Sequence, residues 1–142
     1  APVALDASER LSRLAGLWRL EGMMGGGRGN FAGYATASRM VIRHRTAEVT
    51  VETDTGTAGQ LQAAVYRLDG SENPVPGPIG WETRASAALR GDTLVVSVRR
   101  TIEGAEGPIV FQIRDVYAVD GEVLTLDRTQ GSESRKMTYR RF

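Results

Sequence analysis

Asp115 and Arg128 stand at positions that strand alternation turns inward. A charge held inside a fold is costly unless it is paired. Two readings fit. One is a salt bridge near the rim of a barrel, which is the simpler and is favoured. The other is a polar anchor for a ligand, or an acid in a barrel-type isomerase or cyclase. Tyr66, Trp81, Phe111, Tyr117 and Tyr139 are the rings that could line a site, and Ala63, Ala85 and Ala87 are small side chains that would leave volume beside them. Any one ring reads more simply as core filler. Taken together, alanines beside aromatics imply a cavity as readily as a packed interior.

Other chemistry is thin. His44 is the only histidine and lies between Arg43 and Arg45. With no second histidine and no cysteine, no metal site and no cofactor are expected. A general base would need a carboxylate partner that the sequence does not identify, so His44 reads as a surface residue. No Gly-x-Ser-x-Gly elbow is present, which leaves a Ser–His–Asp triad without its nucleophile. The glycine-rich stretch from Met23 to Asn30 lacks both the Walker lysine and a following helix pattern. It reads as a loop, placed to gate a ligand at a barrel mouth.

These residues must be positioned by strands. The chain has 142 residues, a single domain by length (1–142), and enough to bury a core. Leu11 and Leu14 share one face ahead of Gly16, after Asp6 or Ser8 as a cap, predicting a short helix that lids one end. Strands are predicted from Gly16, over 38–45, 48–53, 61–68 and 81–89, and then in four further runs ending at Phe142. Trp81, Thr83, Ala85, Ala87 and Leu89 fall on one side, as do Leu94, Val96 and Val98, and Phe111, Ile113, Asp115 and Tyr117. Asp69-Gly70 and Asp120-Gly121 are turn dipeptides. Residues 71–80 hold Pro74, Pro76 and Pro78 and read as an irregular connection.

The expected fold is therefore all-β, with an up-and-down antiparallel barrel of about eight strands and a sandwich as the alternative. No helix is long enough for a parallel crossover. The formal net charge of +1, with basic residues spread along the chain, predicts no nucleic-acid partner. No apolar run approaches the roughly 18–20 residues of a membrane span.

Gly16-Leu17-Trp18 at the head of the first strand resembles the Gly-x-Trp signature of the lipocalin/calycin superfamily. The runs Tyr-Arg-Leu-Asp-Gly from Tyr66, Tyr-Ala-Val-Asp-Gly from Tyr117 and Tyr-Arg-Arg-Phe at the end are similar to bacterial lipocalin-like proteins of this length. The resemblance implies that Gly16 and Trp18 plug the barrel base, with an arginine of the last strand packed on the indole. Arg140 and Arg141 are the candidates, and alternation with Met137 and Tyr139 points to Arg141. It also implies a periplasmic or secreted protein with its signal peptide removed. The Arg-x-Tyr carboxylate clamp of the fatty-acid-binding branch would place an arginine where this chain has Met137. The function expected is an exported binding protein for a small apolar or aromatic molecule. A cyclase- or isomerase-type enzyme, or a packed barrel acting through surface loops, are the alternatives. Oligomeric state is not predicted.

Overall fold

The computed structural model describes residues 7–25, 37–45, 47–54, 61–76 and 80–142. A short helix, α1 (Ala7–Leu14), precedes β1 (Gly16–Gly25), β2 (Arg39–Arg45), β3 (Glu48–Asp54), β4 (Leu61–Arg67), β5 (Asn73–Pro74), β6 (Glu82–Arg90), β7 (Thr93–Gly104), β8 (Gly107–Asp120), β9 (Val123–Gln130) and β10 (Glu133–Arg141). All ten strands form one antiparallel sheet in the order β4-β3-β2-β1-β10-β9-β8-β7-β6-β5. The last strand pairs with the first, Trp18 opposite Arg141 and Met23 opposite Met137, so the ribbon bends round into a nearly closed barrel.

Ten strands replace the expected eight or so, partly because the proline-rich connection is not wholly irregular. Asn73 and Pro74 pair with Ala85 and Arg84, and the amide of Val75 donates to the Thr83 carbonyl (3.0 Å). Pro74 needs no ladder donor because β5 has no partner on its far side. Between β4 and β5 there is no ladder. The Asn73 side-chain amide spans the gap, donating to the Val65 carbonyl at 2.8 Å.

Tight turns produce this order. At Gly121 the φ of 62° suits the two-residue hairpin from β8 to β9, a conformation that residues with a Cβ adopt at a cost. Period-2 alternation then separates the faces: in β7, Leu94, Val96, Val98 and Arg100 are buried while Ser97 and Arg99 are exposed. One inward reading is corrected. Ala63 is exposed on the outer face, because Tyr66 points in and the two-residue period makes Ala64 its inward partner. A bulge at Glu21 shifts the β1–β10 register between Leu20 and Gly22, and the extra residue ion-pairs with Arg140 at 2.7 Å.

One end of the barrel is closed by side chains around α1. Trp18 is wholly buried, and its indole N–H donates to the Leu14 carbonyl at 2.9 Å. Arg141, rather than Arg140, lies over the ring at 4.3 Å from its centroid, a cation–π contact. The same guanidinium donates to the carbonyls of Ala15 (2.7 Å) and Arg13 (2.8 Å), closing the C-terminal end of α1. Gly16, at φ 141°, passes so close to that guanidinium that a Cβ would collide with it. Leu11 and Leu14 are buried beneath the helix, and Arg10 ties it to the carbonyl of Gly91 in the β6–β7 turn (2.8 Å). Of the loop expected over Met23–Asn30, Met23, Met24 and Gly25 instead continue β1, held in the ladder opposite Met137, Lys136 and Arg135, while the remainder and a cap at Asp6 lie outside the described residues.

Candidate functional site

Five polar or charged residues are buried among the described residues: Thr83, Arg100, Asp115, Arg128 and Arg135. They occupy the inward face of five consecutive strands in the sheet, β6 to β10. Thr83 stands opposite Arg100, Asp115 opposite Arg128, and Arg128 opposite Arg135. Antiparallel pairing thus brings residues far apart in the chain to side-chain distance.

Asp115 and Arg128 form a buried ion pair. Arg128 Nε donates to Asp115 Oδ1 at 2.8 Å and Nη2 to Oδ2 at 3.2 Å, the two-pronged geometry that fits a guanidinium to a carboxylate. Side-chain exposure is 7% and 1%, so the pair lies within the barrel wall and not at the rim, as the sequence had suggested. The desolvation this costs is offset only because both partners are present in good geometry.

Tyr139 is fully buried nearby and its hydroxyl donates to the Ala37 carbonyl at 2.8 Å. Burial pushes its pKa from 10.0 up to about 12, with Arg128 pulling it down and Asp115 pushing it up by smaller amounts. Folding therefore favours the protonated phenol. The stabilising contribution is complete below pH 10, the ordinary value, and is lost as pH rises towards about 12. We expect stability to fall by about 1–1.4 kcal/mol per pH unit across that window. Tyr139→Phe should remove this slope. Chemical denaturation at stepped alkaline pH reads it out.

The remaining predicted residues are distributed along the barrel axis. Tyr66 and Tyr117 are buried, Tyr117 opposite Leu94 and Leu126 towards the Trp18 end. Trp81 and Phe111 are half-buried and stack with centroids 5.4 Å apart at the opposite end, where β6 begins. The structure therefore joins Asp115, Arg128 and Tyr139 into one polar cluster and sets the Trp81–Phe111 pair apart from it. His44 is half-buried with Nε2 3.3 Å from the Ser12 hydroxyl of α1.

Sequence reading missed Arg100 and Arg135. Both obey the alternation already visible in Leu94, Val96 and Val98, and in Met137 and Tyr139. Extending each run by one step finds them. Thr83 was placed inward, but its hydroxyl is buried with no hydrogen-bond partner among the described residues.

No protein-family model matches the chain, and no curated protein matches it. Solved structures do. A REP1-NXSQ fatty acid transporter superposes with a TM-score of 0.67 at 15% identity, over 92% of this chain and 97% of its own. A secretory abundant heat soluble protein from Ramazzottius varieornatus gives 0.67 at 14% identity, over 92% and 96%. Apo lipid binding protein 8 of Caenorhabditis elegans gives 0.66 at 8% identity, over 93% and 97%. At such identities the likeness is one of fold: a ten-stranded, nearly closed antiparallel barrel with a short N-terminal helix.

Proposed function

We propose that this protein binds a small apolar molecule with an anionic head group inside the barrel. The observation that carries the reading is the buried charge balance. Among the described residues, Arg100, Arg128 and Arg135 contribute three positive charges to the buried set, and Asp115 one negative charge. Guanidiniums on the inward face are charge-assisted donors that an anionic head group entering with an apolar tail can engage. The buried Thr83 hydroxyl, opposite Arg100, is a further polar group that such a head group would satisfy. Room for the tail is supported by strand number, since eight strands enclose an interior just wide enough to be packed or to hold one small ligand and diameter grows with each addition.

The arginine absent at Met137 does not weaken this reading. Arg135 sits two residues earlier on the same face, and the Arg100 and Arg128 positions supply charge from neighbouring strands. An enzymatic role has less support. Tyr139, with its pKa raised to about 12 and its proton given to the Ala37 carbonyl, is poorly matched to acid–base work near neutrality. Placement outside the cytoplasm rests on the likeness to exported bacterial proteins, and fractionation of source cells tests it.

The decisive experiment compares oleate with methyl oleate on delipidated wild-type protein, by displacement of a fluorescent probe. The carboxylate should bind at least about tenfold more tightly, the scale of one charge-assisted hydrogen bond. Arg100→Met should reduce that preference without weakening the ester. Equal affinity for the two, or binding of neither, would overturn the proposal.

A further inference from the structure

The outer face of the sheet carries a concavity. A groove of about 510 Å³ is lined by polar side chains, among them Glu72, Ser86, Ser97, Arg99, Gln112, Arg114 and Thr129, together with Val98, Ile113 and Gly131. The outward polar side chains cannot serve the barrel interior. Their order follows from register: Ser86 stands opposite Ser97, Ser97 opposite Arg114, and Arg114 opposite Thr129. Neighbouring strands lie about 4.8 Å apart, so this row extends about 14 Å across four strands. A second row runs Arg84, Arg99, Gln112. The ladder between β8 and β9 ends at the Arg114–Thr129 pair, while β8 continues to Gly107. A notch opens at that point.

The polar groups there are unequally committed. The Glu72 carboxylate accepts from Arg84 at 3.0 Å and from Arg99 at 2.5 Å, so its charge is matched on the spot. Among the described residues, the side chains of Ser86, Ser97, Gln112, Arg114 and Thr129 make no hydrogen bond or ion pair with one another or with a neighbour. An uncommitted guanidinium is a two-pronged donor for phosphate or sulfate oxygens. Hydroxyls and an amide both donate and accept, which suits the hydroxyls of a polyol. No aromatic ring is among the lining residues, so a nucleobase or a neutral sugar finds no stacking surface. Affinity must come from the anion.

We propose that this groove binds a polyol bearing phosphate groups, with Arg114 holding a phosphate and the Ser86–Ser97–Thr129 row holding ring hydroxyls. The ligand could be a free sugar or inositol phosphate, or the head group of a phosphoinositide. The site is separate from the interior and does not depend on the lumenal reading.

Titration of isotope-labelled protein with inositol hexakisphosphate, followed by amide chemical shifts, tests it. Shifts should cluster at Ser97, Arg114 and Thr129, spare Thr83, Arg100 and Asp115, and be the same with oleate present. Arg114→Ala, at an exposed position, should weaken binding about tenfold or more, and Arg114→Lys should recover part of it. Co-sedimentation with phosphatidylcholine vesicles, with and without phosphatidylinositol 4-phosphate, separates a membrane head group from a free ligand, and either result fits. The proposal fails if myo-inositol or inorganic phosphate binds as well as inositol hexakisphosphate, if ATP binds more tightly, if Arg114→Ala is neutral, or if shifts scatter over every exposed arginine.

Discussion

Arg128→Met alone should destabilise the protein by about 3–5 kcal/mol, because it leaves the Asp115 carboxylate charged and buried at 1% side-chain exposure. For a chain of 142 residues this is a melting-temperature drop of roughly 10 °C or more. The double variant Asp115→Leu with Arg128→Met removes both charges and fills similar volume. It should recover most of that loss, since a buried ion pair is often no better than a well-packed apolar pair. Thermal denaturation of the two single variants and the double variant forms a closed cycle. A double variant no more stable than the singles would mean that the pair's net contribution is large, against this reasoning. The pair then has a role beyond its own attraction: it fixes the Arg128 guanidinium, with its remaining N–H groups directed by the fork, beside Arg135 in the register.

Trp18→Ala should cost about as much, roughly 3–5 kcal/mol for a fully buried indole, and more where linked contacts go with it. Three interactions converge on this side chain. The ring fills the tapered end, its N–H satisfies the Leu14 carbonyl, and Arg141 lies on its face while holding the last carbonyls of α1. Removing the ring withdraws the platform under Arg141, so α1 should fray. Loss of helical signal preceding loss of strand signal on heating would report it. Trp18→Phe keeps a ring but loses the N–H, and should sit between wild type and alanine. A Trp18→Ala variant that melts within a degree or two of wild type, with α1 intact, would contradict this account of the closed end.

Much of the architecture was legible because two rules are strict. Alternation correctly assigned Ala85, Ala87, Leu94, Val96, Val98, Ile113, Asp115 and Tyr117 to one face, and turn glycines marked the hairpins. The Trp18–Arg141 contact was legible because the resemblance implied an arginine of the last strand on the indole, and parity chose Arg141 over Arg140. The failures have physical reasons. Arg100 and Arg135 follow the same parity, yet charge argues for the outer face, and only the folded barrel shows both buried on the inner one. Ala63 was an error of parity on a strand without strong amphipathic contrast. Alternation states which face a ring takes but not its height, so Trp81 and Phe111 could not be told from Tyr66 or Tyr117 until the strands were staggered. The two-residue β5 is shorter than any periodicity can register.

The unladdered gap between β4 and β5 has a kinetic meaning. A sheet that curls round without joining its own margins keeps one longitudinal slit, here bridged among the described residues by the side-chain amide of Asn73 to the Val65 carbonyl. Backbone protons along the far side of β4 should exchange with deuterium sooner than those of β7 and β8, which have ladders on both sides. The wall can therefore part lengthwise like a split sleeve while both ends stay in place, and its girth is set by how wide that slit stands.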